Sequence, residues 1–461
     1  MIFEYPHQLT FKDLSAAKYT FEAIVQANPK CIEARSILGT LYADEVLSAI
    51  PRTGFSASKE DVTVLHRKAI SLLENVRFTW KAEAKKNDAH HETILLSLAR
   101  LYENDQPERA LQCLLQVEEI YKYLIDNGDD VMIPVQLTNN IATLYWQKGE
   151  YNTARTHYQN ALNAIPELKE KDEAADTDAL ATSLTYNLAR CEEAAGNIEE
   201  ATKNYEKLLA YHDDYVDANM RLAYLALRRG AEDGHKRIQK LMQTDGNNLE
   251  VRALYGWYLG RQKRKHPIVI WEDPEQRHYK HTLQHYEKHD RYSLIGMGNI
   301  YLLAARDIKK ENEQEREKRR KLYEKAVEFF DKALQLDPKN AYAAQGIAIA
   351  SVEDRKDLKT AVSMFSKVKE TLSKDAHSLV NFGHCLAGLD QWARAIENVS
   401  PLSLFINSIT QLLAFLGTFP TLASHHIFCI PNCLFCLLFR LSSCFSLRYY
   451  TLVSGGHRYP N

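Results

Sequence analysis

The chain holds 461 residues, with 58 Lys and Arg against 60 Asp and Glu and a formal net charge of −2. Near-neutral charge excludes a protein that works by coating nucleic acid, and only 13 Pro and 18 Gly argue against long disordered linkers. Apolar residues at 45% and charged ones at 26% are ordinary for a soluble globular protein, so the length predicts about three domains or one long repeat array. The first thirty residues lack a basic-then-apolar stretch, and no secretory signal is expected.

From the N-terminus, Ala17, Phe21, Ile24 and Pro29 have the pattern of the second helix of a two-helix repeat. Residues 1–30 are therefore read as an incomplete first unit that lacks its first helix. Residues 31–398 carry the same pattern repeatedly. It is clearest in Ile141-Ala142, Tyr145, Gly149, Ala154, Tyr158, Ala161 and Pro166, then in Leu188-Ala189, Gly196, Ala201, Tyr205 and Leu208. A large apolar residue followed by a small one marks helix A, and a small–aromatic–small series marks helix B. These are the positions that a tetratricopeptide repeat needs.

The physical logic is simple. A small residue at the eighth position lets helix A lie against helix B, and an aromatic at position 24 fills the gap between units. Gly149 and Gly196 fall at the turn between helices, where a positive φ is needed. The eighth position can be followed through Gly39, Ala99, Ala142, Ala189, Ala223, Gly256, Gly298, Ala348 and Gly383, in steps of 33 to 60 residues. The longer steps predict lengthened units near 40–75 and 297–335. In the second of these the run KKENEQEREKRRK is polar on every side, with Glu315–Arg319 and Glu317–Lys321 spaced i,i+4. That predicts a solvated extension of about two turns on each helix, either bare surface or a docking arm. The stacked units predict an all-α tetratricopeptide-repeat superhelical solenoid with a concave groove.

At residue 399 the composition changes. Residues 400–461 contain no Asp, Glu or Lys, and their only charges are Arg440, Arg448 and Arg458. Val399 stands where the repeat calls for an aromatic, and Val399-Ser400 can be encoded by a splice-donor sequence. The stretch that follows is rich in residues with pyrimidine-rich codons. We read 399–461 as an intron-derived, apolar and non-native-looking tail that forms no domain. The rival reading is a membrane anchor, since residues 399–439 carry no Asp, Glu, Lys or Arg. Pro401, Pro420, Pro431 and His425-His426 make it a poor span. Cys429, Cys433 and Cys436 lack the second pair that a zinc site needs. The remaining cysteines, Cys31, Cys113, Cys191 and Cys385, are scattered and read as buried free thiols of a reducing compartment.

Candidate chemistry is sparse. His278, His281, His285 and His289, spaced 3, 4 and 4, would share one helical face. Arg277, Lys280 and Lys288 crowd them, and Tyr279, Tyr286 and Tyr292 alongside point to packing or partner contact rather than metal. There is no glycine-rich phosphate loop, Ser-centred elbow or paired catalytic carboxylates. Arg261, Lys263, Arg264, Lys265 and His266 form a basic run read as a solvated loop, with nucleic acid or an acidic partner as the alternative. A carboxylate clamp would need Lys at position 5 and Asn at position 9. Those positions read Asn139/Thr143, Tyr186/Arg190, Met220/Tyr224, Ala253/Trp257 and Ile295/Asn299. Tyr186, Arg190, Tyr224, Trp257 and Asn299 are the candidate partner-binding groove, suited to a segment with apolar anchors; inter-helix packing of the same aromatics stays open.

Three stretches carry a more specific likeness: LEVRALYGWYLG, EDPEQRHYKHTLQHYEKHDRYSLIGMGNIYLLAAR and AVEFFDKALQLDPKNAYAAQGIAIA. They resemble the tetratricopeptide-repeat scaffold subunit of the RNA polymerase II-associated factor complex, in a fungal-like and truncated form. The resemblance covers about residues 13–398. It implies a non-enzymatic nuclear scaffold of transcription elongation, linked to histone modification. It further implies no cofactor, metal or small-molecule substrate. Its partners would be the other subunits of that complex and RNA polymerase II, with chromatin met indirectly. The family continues past the array into further repeats, a long helix and a charged tail that this sequence lacks. The alternative is a membrane-anchored repeat adaptor that uses the apolar tail.

Overall fold

The computed structural model describes residues 14–49, 59–82, 89–262, 268–308, 312–373 and 375–399. Among them there is no strand. The chain divides into two compact units, Met1–Leu222 and Ala223–Asn461. In the first unit, helix α1 (Leu14–Ala27) precedes four A–B pairs: α2 (Ile32–Ala49) with α3 (Lys59–Ala82), α4 (Ala89–Tyr102) with α5 (Pro107–Asp126), α6 (Val135–Lys148) with α7 (Tyr151–Lys171), and α8 (Thr177–Ala195) with α9 (Ile198–Tyr211). Helix α10 (Val216–Arg229) crosses the boundary. The second unit continues with α11 (Glu232–Thr244), α12 (Leu249–Gly260) and α13 (Pro274–His285). It then pairs α14 (Arg291–Asp307) with α15 (Glu313–Leu336) and α16 (Ala341–Ala350) with α17 (Leu358–Thr371). Helix α18 (Ala376–Ala387) and helix α19, residues 392–399, complete the described part.

All nine eighth-position residues are buried on helix A. So are the helix B aromatics Tyr158, Tyr205, Tyr279, Phe330 and Phe365. Local chemistry marks the ends of these helices. Gly149 and Gly196 close α6 and α8 with φ of 86° and 90°, and the N–H after each reaches back into the last helical turn. Asp176, Asn248, Asp273, Asp290, Asn312, Asn340, Asp357 and Asp375 each accept a first-turn backbone N–H, which satisfies donors that have no intrahelical partner.

Pro166 lies inside α7, which runs on to Lys171, a residue that pairs with Glu167 at 3.5 Å and with Asp130 at 2.7 Å. Two details depart from the sequence reading. The added length near 297–335 is not shared equally. Helix α14 has 17 residues and α15 has 24, because Asn312 caps a new helix start and places most of the polar run on α15. Cys113, Cys191 and Cys385 are buried free thiols, but Cys31 is only half-buried. The tail 400–461, the basic residues Lys263 to His266, and residues 1–13 lie outside the described residues.

Candidate functional site

The predicted groove residues fall into two separate places. In the first unit, Tyr186 and Arg190 sit four apart on α8. Tyr186 is half-buried against Tyr205 and Tyr215, with ring centroids at 5.9 and 5.5 Å. Burial raises its hydroxyl pKa, and Arg190 opposes that. The Arg190 guanidinium lies 5.9 Å from the Trp146 ring. Beside them, Asn187 Nδ2 donates to Asn139 Oδ1 at 2.9 Å, a hydrogen bond between consecutive A helices. Arg221 meets Glu193 through two nitrogens, and Tyr205 donates to the same carboxylate at 3.0 Å. This surface is built from amides and paired charges, with aromatics beneath.

In the second unit, Tyr224 and Trp257 meet at 5.1 Å with rings tilted by 46°. Trp257 is 5% exposed, so most of its indole is already packing. Arg228 lies over Tyr224 at 5.9 Å and Arg261 over Trp257 at 5.0 Å. Each cation sits four residues after its ring, one helical turn along the same face. That aromatic-x-x-x-Arg spacing was the signal that the sequence reading passed over. Asn299 is half-buried on α14.

The histidines do not act as one cluster. Helix α13 ends at His285, so His289 lies beyond it in the turn. His278 Nε2 donates to the Arg252 carbonyl at 2.8 Å, and burial pushes its pKa down to about 4. His281 Nδ1 accepts from Arg252 Nη2 at 3.1 Å. The Arg252 side chain is buried, and among the described residues it has no acidic hydrogen-bond partner. Thr282 Oγ1 at 2.9 Å and the Gly246 carbonyl at 3.1 Å accept its other N–H groups, and Tyr286 covers it 3.9 Å from the ring centre. The histidines therefore help to close a polar seam between α12 and α13. Among the described residues no group of three or more His, Cys, Asp and Glu is arranged to hold a metal. Burial raises the Cys191 and Cys385 thiols to about 11, which leaves them poor nucleophiles.

Sequence models of the tetratricopeptide repeat match residues 135–168, 171–234 and 318–340. "Tetratricopeptide repeat protein 1" of Schizosaccharomyces pombe is 37% identical over 390 residues, 85% of this chain and 34% of that protein. "RNA polymerase-associated protein CTR9" of Saccharomyces cerevisiae is 31% identical over 384 residues, 82% of this chain and 33% of that one. The protein of the same name in Caenorhabditis elegans is 25% identical over 404 residues, 84% of this chain and 32% of its own length.

The chain belongs to the tetratricopeptide-repeat family and is homologous to the CTR9 proteins.

It spans about a third of the length of the curated relatives it matches. Tyr186, Arg190, Tyr224, Trp257 and Asn299 lie on A helices of the repeats, whereas His278, His281 and His285 lie on the B helix α13. In a second polar seam, Arg306 Nε donates to both Glu353 oxygens at 3.0 and 2.9 Å. Tyr323 also donates to Glu353 at 2.9 Å, and Arg319 donates to Tyr323 at 2.8 Å. Glu353 lies in the wide turn Ser351–Arg355, whose i→i+5 pitch was not legible in the sequence.

Proposed function

We propose that this chain is a protein-binding scaffold of a nuclear RNA polymerase II-associated complex that acts in transcription elongation and linked histone modification. The observation that carries this reading is homology over more than four fifths of the chain to proteins named RNA polymerase-associated. Stacked helix pairs that present half-buried aromatics, arginines and amides on A helices suit the recognition of other polypeptides. In this reading residues 31–398 are the array, the partners are other subunits of that complex and RNA polymerase II, and the chain performs no catalysis of its own. Among the described residues no helix is long and apolar enough to cross a membrane; the tail that the membrane-adaptor alternative would use lies outside them. Affinity capture of tagged chain from nuclear extract, followed by mass spectrometry, tests the reading. RNA polymerase II and its associated subunits are the expected catch. Recovery of chaperones or membrane proteins alone would overturn it.

A further inference from the structure

Next to the Tyr224–Trp257 pair lies a cleft of about 180 Å³, lined by Leu227, Gly230, His235, Trp257, Tyr258 and Arg261. Among the described residues no acidic side chain lines it. Arg261 stands over its indole floor and Arg228 over the Tyr224 ring, so that the two arginines flank the tilted Tyr224–Trp257 pair. Both arginines are exposed. Among the described residues neither pairs with a carboxylate. A guanidinium stacked on a ring keeps its in-plane N–H groups free, the geometry that meets a carboxylate in two parallel hydrogen bonds. His235 Nδ1 and the Tyr258 hydroxyl, 3.0 Å apart, hold the far wall in place.

Two features say which polyanion fits. Nucleic acid held without sequence readout needs an open aromatic face on which a base can stack. Trp257 has none to offer, because Tyr224 packs against it, Arg261 covers it and only 5% of it is exposed. The cleft itself is large enough for an aliphatic side chain and is walled by Leu227 and the indole. A segment that alternates acidic and aliphatic residues matches both the charge and the cavity.

We propose that this cleft binds an acidic peptide segment of a partner protein, its Glu or Asp carboxylates meeting Arg261 and Arg228 while a neighbouring aliphatic side chain enters the cavity beside Trp257. The proposal rests on the partner-binding scaffold reading and names the chemistry of one partner segment.

The test uses the full chain and a short fluorescein-labelled peptide alternating Glu and Leu, read by anisotropy. Arg261→Gln should weaken binding about tenfold, and adding Arg228→Gln should weaken it further, since each loses a charge-assisted contact. Both side chains are exposed, so the melting temperature of each variant should match the parent. Arg261→Glu should lose the acidic peptide and gain affinity for its Lys-Leu counterpart. Equal binding of a Gln-Leu peptide would overturn the proposal, as would an unchanged affinity in Arg261→Gln. Single-stranded RNA that displaces the labelled peptide better than unlabelled peptide does would also overturn it and assign the cleft to nucleic acid. If the parent chain captures polymerase subunits but the peptide results fail, the cleft proposal falls and the scaffold reading stands. If capture fails while Arg261-dependent peptide binding holds, the reverse is true.

Discussion

Phe330 fills the space that a side chain on Gly346 would need: a Cβ there would lie 2.5 Å from the Phe330 Cζ atom. On the other side a Cβ on Gly298 would lie 2.6 Å from Phe330 Cε1. The fully buried ring is thus held between the eighth position of its own unit and the sixth position of the next. Tyr279 is held in the same way between Gly256 and Gly296. Two consecutive units therefore join by ring against bare backbone, which draws their helices close.

This contact makes Gly346→Ala destabilising even though Ala is the better helix former. Overpacking against a ring with nowhere to go should lower stability by about 1–3 kcal/mol, and the propensity gain of about 1 kcal/mol offsets only part of it. Chemical denaturation checks this. Phe330→Leu in the same chain should recover part of the loss, and a Gly346→Ala variant more stable than the parent would refute the packing argument.

Lys356 closes the wide turn after α16 with φ of 61°, a conformation that strains any residue bearing a Cβ. Lys356→Gly should stabilise the chain by about 1 kcal/mol, read as a rise in melting temperature. The same substitution at Gly149, reversed to Ala, should destabilise it, since φ there is 86°.

Glu353 joins Arg306 and Tyr323 with side chains of the ion pair only about one sixth exposed. Glu353→Gln should cost about 2 kcal/mol, because it leaves Arg306 facing a neutral amide in a half-dry setting. Replacing both partners, as Arg306→Met with Glu353→Leu, should cost less than the single change. A double variant weaker than the single one would contradict this account.

Stability should fall as pH drops from about 6.5 toward 4, in the window set by His278. Its folded pKa of about 4 lies below the unfolded value, so over that range the unfolded chain binds the extra proton. The stabilisation is present above the unfolded pKa and shrinks as pH falls, by on the order of 2–3 kcal/mol in full. His278→Asn keeps a donor for the Arg252 carbonyl and removes the titration. Denaturation midpoints at neutral pH and near pH 5 should differ less in that variant than in the parent.

Trp257→Ala and Arg261→Gln separate packing from binding. Removing the indole should lower stability by about 3–5 kcal/mol, as for other buried aromatics. Removing the exposed guanidinium should leave the melting temperature unchanged. Equal loss of stability in both variants would mean that Arg261 is part of the core.

The helical repeat itself was legible residue by residue. Small residues at the eighth position, aromatics such as Tyr158 and Tyr205, and the turn glycines Gly149 and Gly196 all act within one unit or its immediate neighbour, so short-range spacing carries them. Lys356 and the wide turn before it were hidden, because they depend on a one-residue surplus that only the paired helices reveal.

What the sequence determined alone was which face of each helix turns inward, since a period of 3.6 residues records that directly. What covers that face was decided by the tertiary structure. The four histidines share a spacing, yet His278 is drawn into a seam by the Arg252 carbonyl while His289 is left in a turn. By position Trp257 could be an anchor or inter-helix packing, and in the structure it packs against Tyr224 under Arg261. Pro166 lies inside a helix that Lys171 ties to Asp130, 41 residues earlier. The Arg252, Tyr224 and Asp130 partners are distant in sequence, and no local pattern records a contact made only when the helices pack.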